Sequence, residues 1–153
     1  MMQLPFLKKK TFFTDAEKQR VVEAIRNAEQ RTSGEVRVYV ESRNAYMDPM
    51  DRAAEIFYNL KMDKTDDRNA VLLYIALNDK QLALFGDEGI YKATGEEYWN
   101  NAVRNMLMEI KAHDIIGGMV HCITTVGEAL HEKFPYNKLD DKNELPNEIV
   151  FGK

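Results

Sequence analysis

The fold is decided by residues 68–86, which read RNAVLLYIALNDKQLALFG. Every residue from Ala70 to Leu77 is apolar, whereas a strand with one wet face would alternate apolar and polar side chains. We therefore predict a strand that is covered on both faces. Residues 78–80, NDK, form a short polar turn, and the apolar run at 81–86 returns antiparallel to the first, as loops of this length usually dictate. A hairpin buried in this way needs helices on both sides.

The residues before the hairpin supply two helices and a strand. Thr14 and Glu17 form a capping box that begins a helix running to about Thr32. Residues 35–41, EVRVYVE, alternate strictly, so this strand places only its valine face on the core. Pro49 suits the first position of a second helix, where its missing N–H costs nothing. This helix is a crossover between two parallel neighbouring strands.

Two more helices are predicted after the hairpin. Residues 94–97, TGEE, form a second capping box in front of a helix with one apolar stripe. The last helix ends at Pro135, and Gly127 inside it costs roughly 1 kcal/mol relative to alanine, which indicates a close approach to a neighbouring element. The order α-β-α-β-β-α-α predicts an α/β fold in which a small mixed β-sheet is sandwiched between helices.

Size and composition are those of an ordinary globular chain. The 153 residues are 44% hydrophobic and 30% charged, which is enough for one domain with a real core. We expect a single domain over residues 1–153, with an N-terminal arm at 1–12 and a docked C-terminal tail at 135–153. A net charge of -4 and the absence of nucleic-acid-binding motifs argue against a nucleic-acid binder. Cys122 is the one cysteine, so no internal disulfide can form.

No apolar stretch of the sequence approaches the ~20 residues that a transmembrane segment requires. The N-terminus, MMQLPFLKKK, places its charges after a short apolar patch, which is the reverse of a secretory signal. We therefore expect a monomeric cytoplasmic protein. The basic arm could also lie against the anionic surface of the inner membrane, although a solvated or docked arm is the favoured alternative.

Strand polarity is expected to bring three polar loops to one end of the sheet. If the strands at 35–41 and 70–77 run parallel, both begin at that end, and the antiparallel strand at 81–86 finishes there. The candidate ligands that would then face one crevice are Glu35, Asp66, Asp67, Asn69 and Asp87. Hard oxygen donors favour calcium or magnesium, and a divalent cation relieves the repulsion between the carboxylates. The alternative is a solvated rim in which Arg68 forms ordinary salt bridges.

Motifs for other chemistry are missing from the sequence. There is no Gly-rich phosphate loop, no serine in a nucleophile elbow, and no set of histidines on one helical face at zinc-ligand spacing. Cys122 sits in an apolar helix, where an inert buried thiol is the usual state. The acidic segment 140–144, DDKNE, could fold back and complete the shell of the crevice. No catalytic residue can be named from these observations.

Four segments of the chain resemble the TPM domain family. They are TSGEVRVYV at 32–40, RNAVLLYIA at 68–76, GDEGI at 86–90 and NELPNEI at 143–149. The resemblance spans residues 12–149 and is greatest to short stand-alone bacterial members that lack the signal peptide and membrane helix of many relatives. It implies an α/β sandwich that binds divalent metal, calcium in particular, through acidic residues at one end. The matching positions are Glu35, Asp67, Asn69 and Asp87, whereas Ala70 stands where many members have glycine.

Three functions are open at this point. The first is a calcium- or magnesium-binding interaction module, for which the resemblance implies a membrane-associated protein partner. The second is a weak metal-dependent phosphomonoesterase, because a phosphatase activity has been attributed to a plant member of the family. In that case the cation would polarise one phosphoryl oxygen, Arg68 would bind another, and Asp87 would have to act as nucleophile or general base. The third is a purely structural domain with a solvated acidic rim.

Overall fold

The computed structural model describes residues 13–44, 47–112, 114–136 and 149–152. The predicted N-terminal arm, 1–12, and the acidic segment 140–144 lie outside these described residues. The elements follow in the order α1 (Asp15–Glu29), β1 (Glu35–Glu41), α2 (Pro49–Asn59), β2 (Ala70–Ala76), β3 (Gln81–Gly86), α3 (Glu88–Thr94), α4 (Glu96–Ala112), α5 (Ile115–Lys133) and β4 (Ile149–Phe151).

The four strands form one mixed sheet in the order β3-β2-β1-β4. β1 and β2 run parallel, with Glu35 opposite Ala70, and β3 returns antiparallel to β2, with Gly86 opposite Val71. These pairings confirm the predicted hairpin and the predicted α/β fold. β4 pairs parallel to β1 on the other side. It was not predicted, because three residues are too few to show a period.

Helices cover both faces of the sheet. All seven residues of β2 are buried, as expected for a strand with no wet face. On one face the valines of β1 pack with apolar side chains of α1, α4 and α5. On the other face α2 packs against β2 and β3, with Phe57 fully buried at the centre of the contact. None of the helices described combines the length and the apolar character needed to cross a membrane.

The helix ends agree with the sequence at α1 and differ from it at α4. Thr14 and Glu17 form the predicted capping box, although α1 ends at Glu29 rather than near Thr32. The box predicted at residues 94–97 is wrong, because Thr94 is the last residue of α3 and its hydroxyl donates to the carbonyl of Ile90 over 2.8 Å. The polar stretch that follows β3 therefore forms an additional helix before α4 begins.

The turn between α1 and β1 is fixed by the carboxyl end of α5. The Thr32 hydroxyl donates to the carbonyl of Leu130 over 3.1 Å, and the Ser33 N–H donates to the carbonyl of Phe134 over 3.0 Å. Gly127 confirms the predicted close approach, since a Cβ at this position would lie 2.6 Å from the Cβ of Ala28 on α1. The packing of α1 against α5 thereby determines where β1 begins.

Candidate functional site

Three of the predicted site residues lie at the same end of the sheet. The Glu35 N–H donates to the carbonyl of Asn69 over 3.4 Å, which ties the start of β1 to the residue before β2. The Asp87 N–H donates to the carbonyl of Ala70 over 3.0 Å, which ties the end of β3 to the start of β2. Strand polarity therefore places Glu35, Asn69 and Asp87 where the sequence predicted them.

Asp87 is buried and paired with Arg68. Its Oδ2 accepts from the Arg68 Nε–H over 2.7 Å, and its Oδ1 accepts from the Arg68 Nη2–H over 2.9 Å. Oδ1 also accepts from the Glu88 N–H over 2.8 Å, so that Asp87 caps α3. The bonds to Asp87 raise the pKa of the Arg68 guanidinium, which therefore stays charged. Only 1% of Asp87 is exposed, and this pair neutralises its buried charge.

The side chain of Asn69 has one satisfied end and one unsatisfied end. Its Nδ2 donates to the Ser33 Oγ over 3.2 Å, and its backbone N–H donates to the Thr65 Oγ1 over 3.3 Å. Its Oδ1 is buried and accepts no hydrogen bond from any residue that the structure describes. A buried polar atom without a partner is costly and rare. The residue is 1% exposed, so bulk water does not compensate for the missing bond.

Asp66 and Asp67 lie on the solvent side of this sheet end. Both are exposed, in the loop that leads into β2. This loop packs tightly against the first turn of α3, because a Cβ at Gly89 would lie 2.2 Å from the carbonyl oxygen of Asp67. Arg68 follows in the left-handed region with φ 51, and its carbonyl accepts from the Gly89 N–H over 2.9 Å. The loop therefore has a fixed backbone path and exposed carboxylates.

Two glutamates, Glu29 and Glu35, repel each other at this end of the sheet, and the sequence analysis missed Glu29. Glu29 ends α1, and its Oε2 accepts from the Val36 N–H over 2.7 Å. Its Oε1 is buried, with no partner among the described residues. Burial, together with repulsion from the buried Glu35, raises the pKa of Glu29 to about 8, although the bond from Val36 opposes the shift. No spacing rule distinguishes Glu29 from the exposed Glu23 of the same helix.

The donor chemistry at this sheet end fits a hard divalent cation, but the charges are already partly compensated. An amide oxygen and carboxylates are the ligand types that calcium and magnesium take, and the Asn69 Oδ1 accepts no bond from the residues that the structure describes. Within the described ranges, however, no three His, Cys, Asp or Glu side chains lie close enough together to hold a metal ion. Arg68 supplies the positive charge at Asp87 instead. The role of the five residues as metal ligands therefore remains a prediction.

The opposite end of the sheet carries a separate buried ion pair. Glu41, the last residue of β1, accepts from the Arg52 Nε–H and Nη2–H, both over 2.9 Å, and from the hydroxyl of Tyr74. Burial pushes the pKa of Glu41 upwards, but the bonds from Arg52 and Tyr74 outweigh it and hold this pKa below its ordinary value. This pair joins α2 to two strands and has a structural role.

Comparison with known proteins places the fold in context. A family model described as the TPM domain matches residues 7–129. The chain is similar to the BA42 protein of the psychrophilic bacterium Bizionia argentinensis, solved by NMR, with 40% identity over 95% of this chain and 99% of that chain and a TM-score of 0.84. It resembles in fold the N-terminal domain of the cg2496 protein from Corynebacterium glutamicum, with 14% identity over 78% of this chain and 74% of that chain and a TM-score of 0.55. None of the curated proteins matches the chain.

Proposed function

This chain belongs to the TPM domain family, and on that premise we propose that it is a divalent-cation-binding module whose cation lies at the sheet end where β1 and β2 begin. The observation that carries the proposal is the Oδ1 of Asn69, a buried carbonyl oxygen that no described residue satisfies. Calcium, or magnesium, would bond this oxygen and offset the repulsion between the nearby carboxylates. The proposed ligands are Glu35, Asp66, Asp67, Asn69 and Asp87.

The charge balance around Arg68 also supports a cation here. The guanidinium lies in the field of Asp87, Glu88 and Asp63, and the exposed Asp66 and Asp67 precede it directly in the chain. Two lysines offset part of this charge, with the Nζ of Lys64 lying 3.7 Å from Asp63 and that of Lys92 lying 3.8 Å from Glu88. Carboxylates thus outnumber basic groups at this end of the sheet, which favours uptake of a cation.

A calcium titration tests the proposal with a reporter that the chain already contains. Trp99, the one tryptophan, packs so closely on the end of β3 that a Cβ at Gly86 would lie 2.7 Å from its ring. Gly86 precedes Asp87, so binding should change the Trp99 fluorescence. Calcium at a hundredfold excess over Kd should also raise the free energy of unfolding by ~2.7 kcal/mol.

Two asparagine variants distinguish calcium binding at this site from a non-specific effect of calcium on stability. Asn69→Ala should abolish the calcium-induced rise in Tm. Asn44→Ala should retain it, because Asn44 is also buried but donates to the carbonyl of Met47 and to Gln81, beside the turn between β2 and β3. A wild-type protein that shows no shift in excess calcium or magnesium, or an Asn69→Ala variant that keeps the full shift, would contradict the proposal.

We further propose that the bound cation presents this loop surface to a partner protein, and the family resemblance suggests a membrane-associated one. The phosphomonoesterase alternative is less well supported by the geometry. Arg68 already uses its Nε–H and Nη2–H on Asp87. While this pair persists, those N–H groups are not available to bind a phosphoryl oxygen, and the Asp87 carboxylate is not available for nucleophilic attack. Assays of aryl phosphate hydrolysis by wild type and by Asp87→Asn distinguish the phosphomonoesterase from the cation-binding module. Turnover that the substitution leaves unchanged would indicate a contaminant.

A further inference from the structure

We infer that Arg68 is an internal competitor of the cation, whose guanidinium holds Asp87 in the cation-free protein and must release that carboxylate when the cation binds. The inference rests on the proposed function and adds an autoinhibitory contact to it. It predicts that cation affinity is set by the strength of an ion pair within the chain as well as by the ligands. Three features of the structure support it.

The first feature is the way in which the carboxylate of Asp87 is occupied. Both of its oxygens accept from the guanidinium, over 2.7 and 2.9 Å, and Oδ1 accepts from the N–H of Glu88 as well. Only 1% of Asp87 is exposed, so its carboxylate is almost closed to solvent while the guanidinium is bound. A cation that coordinates both oxygens of this carboxylate must therefore displace the Arg68 fork.

The second feature is that Arg68 can leave while its backbone stays in place. Its N–H donates to the carbonyl of Thr65 over 3.3 Å, and its carbonyl accepts from the N–H of Gly89 over 2.9 Å, so the main chain is held at both ends. Its side chain is 35% exposed, and its Nη1 lies 3.5 Å from the exposed carboxylate of Glu88. A rotation of the side chain towards Glu88 would release Asp87 without moving β2.

The third feature is the oxygen that the guanidinium leaves unsatisfied. Arg68 donates to Asp87, but the buried Oδ1 of the adjacent Asn69 receives no bond within the described part of the chain. A guanidinium is a planar fork whose N–H groups point in fixed directions. Calcium accepts oxygen ligands in flexible geometry. Exchange of the fork for a cation would therefore provide a partner for a polar atom that Arg68 does not reach.

Two matched glycine variants test the exchange. Arg68 and Lys80 are both basic and both left-handed, with φ 51 and φ 53, so glycine relieves the same backbone strain and removes one positive charge at either position. Lys80 lies in the turn between β2 and β3, at the other end of the sheet. Titration with calcium chloride at fixed ionic strength should show that Arg68→Gly binds about 5- to 150-fold more tightly than wild type. Lys80→Gly should bind as wild type does.

A direct measurement follows the guanidinium itself. In the cation-free wild type, the Arg68 Nε–H should give a protected NMR signal because it donates to Asp87, and saturating calcium should remove that protection. Unchanged or weaker calcium affinity in Arg68→Gly, or a protected Nε–H at saturation, would overturn the inference. If neither protein binds calcium or magnesium, the proposed function fails and the inference fails with it. Binding by Arg68→Gly alone would support the competitor role while refuting the proposed function for the wild type.

Discussion

Replacing Glu29 with glutamine should change how the stability of this protein depends on pH. Burial and repulsion from Glu35 raise the pKa of Glu29 from 4.5 to about 8 in the folded protein. Between these two values the folded protein binds more protons than the unfolded chain, so the free energy of unfolding falls as pH rises. The contribution is fully present below pH 4.5 and is lost once the pH has passed about 8. Glutamine does not titrate and removes this slope.

The size of the effect follows from the shift in pKa. One pKa unit corresponds to about 1.4 kcal/mol, so the whole interval from 4.5 to about 8 corresponds to ~5 kcal/mol. At pH 7 about 3 kcal/mol of this has been lost. Domains of this size are stable by only about 5–15 kcal/mol, so the stability lost through this one carboxyl group by neutral pH is large compared with the total.

Urea denaturation between pH 4.5 and 8.5 in the presence of EDTA measures this slope. The contributions of titrating groups that do not interact with Glu29 cancel in the difference in unfolding free energy between wild type and Glu29→Gln. That difference should grow in favour of the variant as pH rises. Glu23→Gln is the matched control, because Glu23 is exposed on the same helix. Glu35→Gln should move the midpoint of the wild-type slope to lower pH by removing the repulsion. A difference between Glu29→Gln and wild type that stays constant across this range would refute the reasoning.

Three further predictions concern packing and burial. Gly127→Ala should lower the free energy of unfolding by about 1–2 kcal/mol, since its Cβ would press on Ala28, and adding Ala28→Gly should recover the loss in urea denaturation. Tyr74→Phe should cost about 1–3 kcal/mol in the same assay, because it removes a buried hydroxyl that donates to Glu41, and a neutral outcome would argue against a structural role for that pair. Burial raises the pKa of the Cys122 thiol to about 12, so a thiol reagent should modify it only in step with unfolding, and rapid reaction of the native protein would contradict this.

The elements that could be predicted from sequence are those whose pattern repeats over several residues. The apolar run that begins at Ala70 predicted a strand and its burial, and the alternation from Glu35 to Glu41 predicted a strand with buried valines. Both strands are present, but Glu35 and Glu41 on the other face are buried as well, which the alternation did not predict. α3 was missed because its seven residues follow a turn-like stretch, and its start depends on the side chain of Asp87 accepting from the next N–H. β4 was missed because a three-residue strand is defined by its partner rather than by its own sequence.

The candidate site shows the same division between pattern and contact. Strand polarity alone was enough to place Glu35, Asn69 and Asp87 at one end of the sheet. The ion pair between Arg68 and Asp87 entered only as the general alternative of ordinary salt bridges, because its fork geometry depends on how the loop before β2 packs on α3. The raised pKa of Glu29 depends on its burial and on its neighbour Glu35 across a turn, and neither can be inferred from the spacing of residues in the sequence.

The sheet order has a consequence for synthesis on the ribosome. β1 emerges early and can pair with β2 soon afterwards, but its other main-chain edge waits for residues far along the chain. Until Ile149 to Phe151 arrive, the carbonyl of Val40, which later accepts from the Gly152 N–H over 2.7 Å, has no strand beside it. Open strand edges promote association between nascent chains. Completion of this side of the sheet is therefore a late, long-range step, and the interval before it is when aggregation would compete with folding.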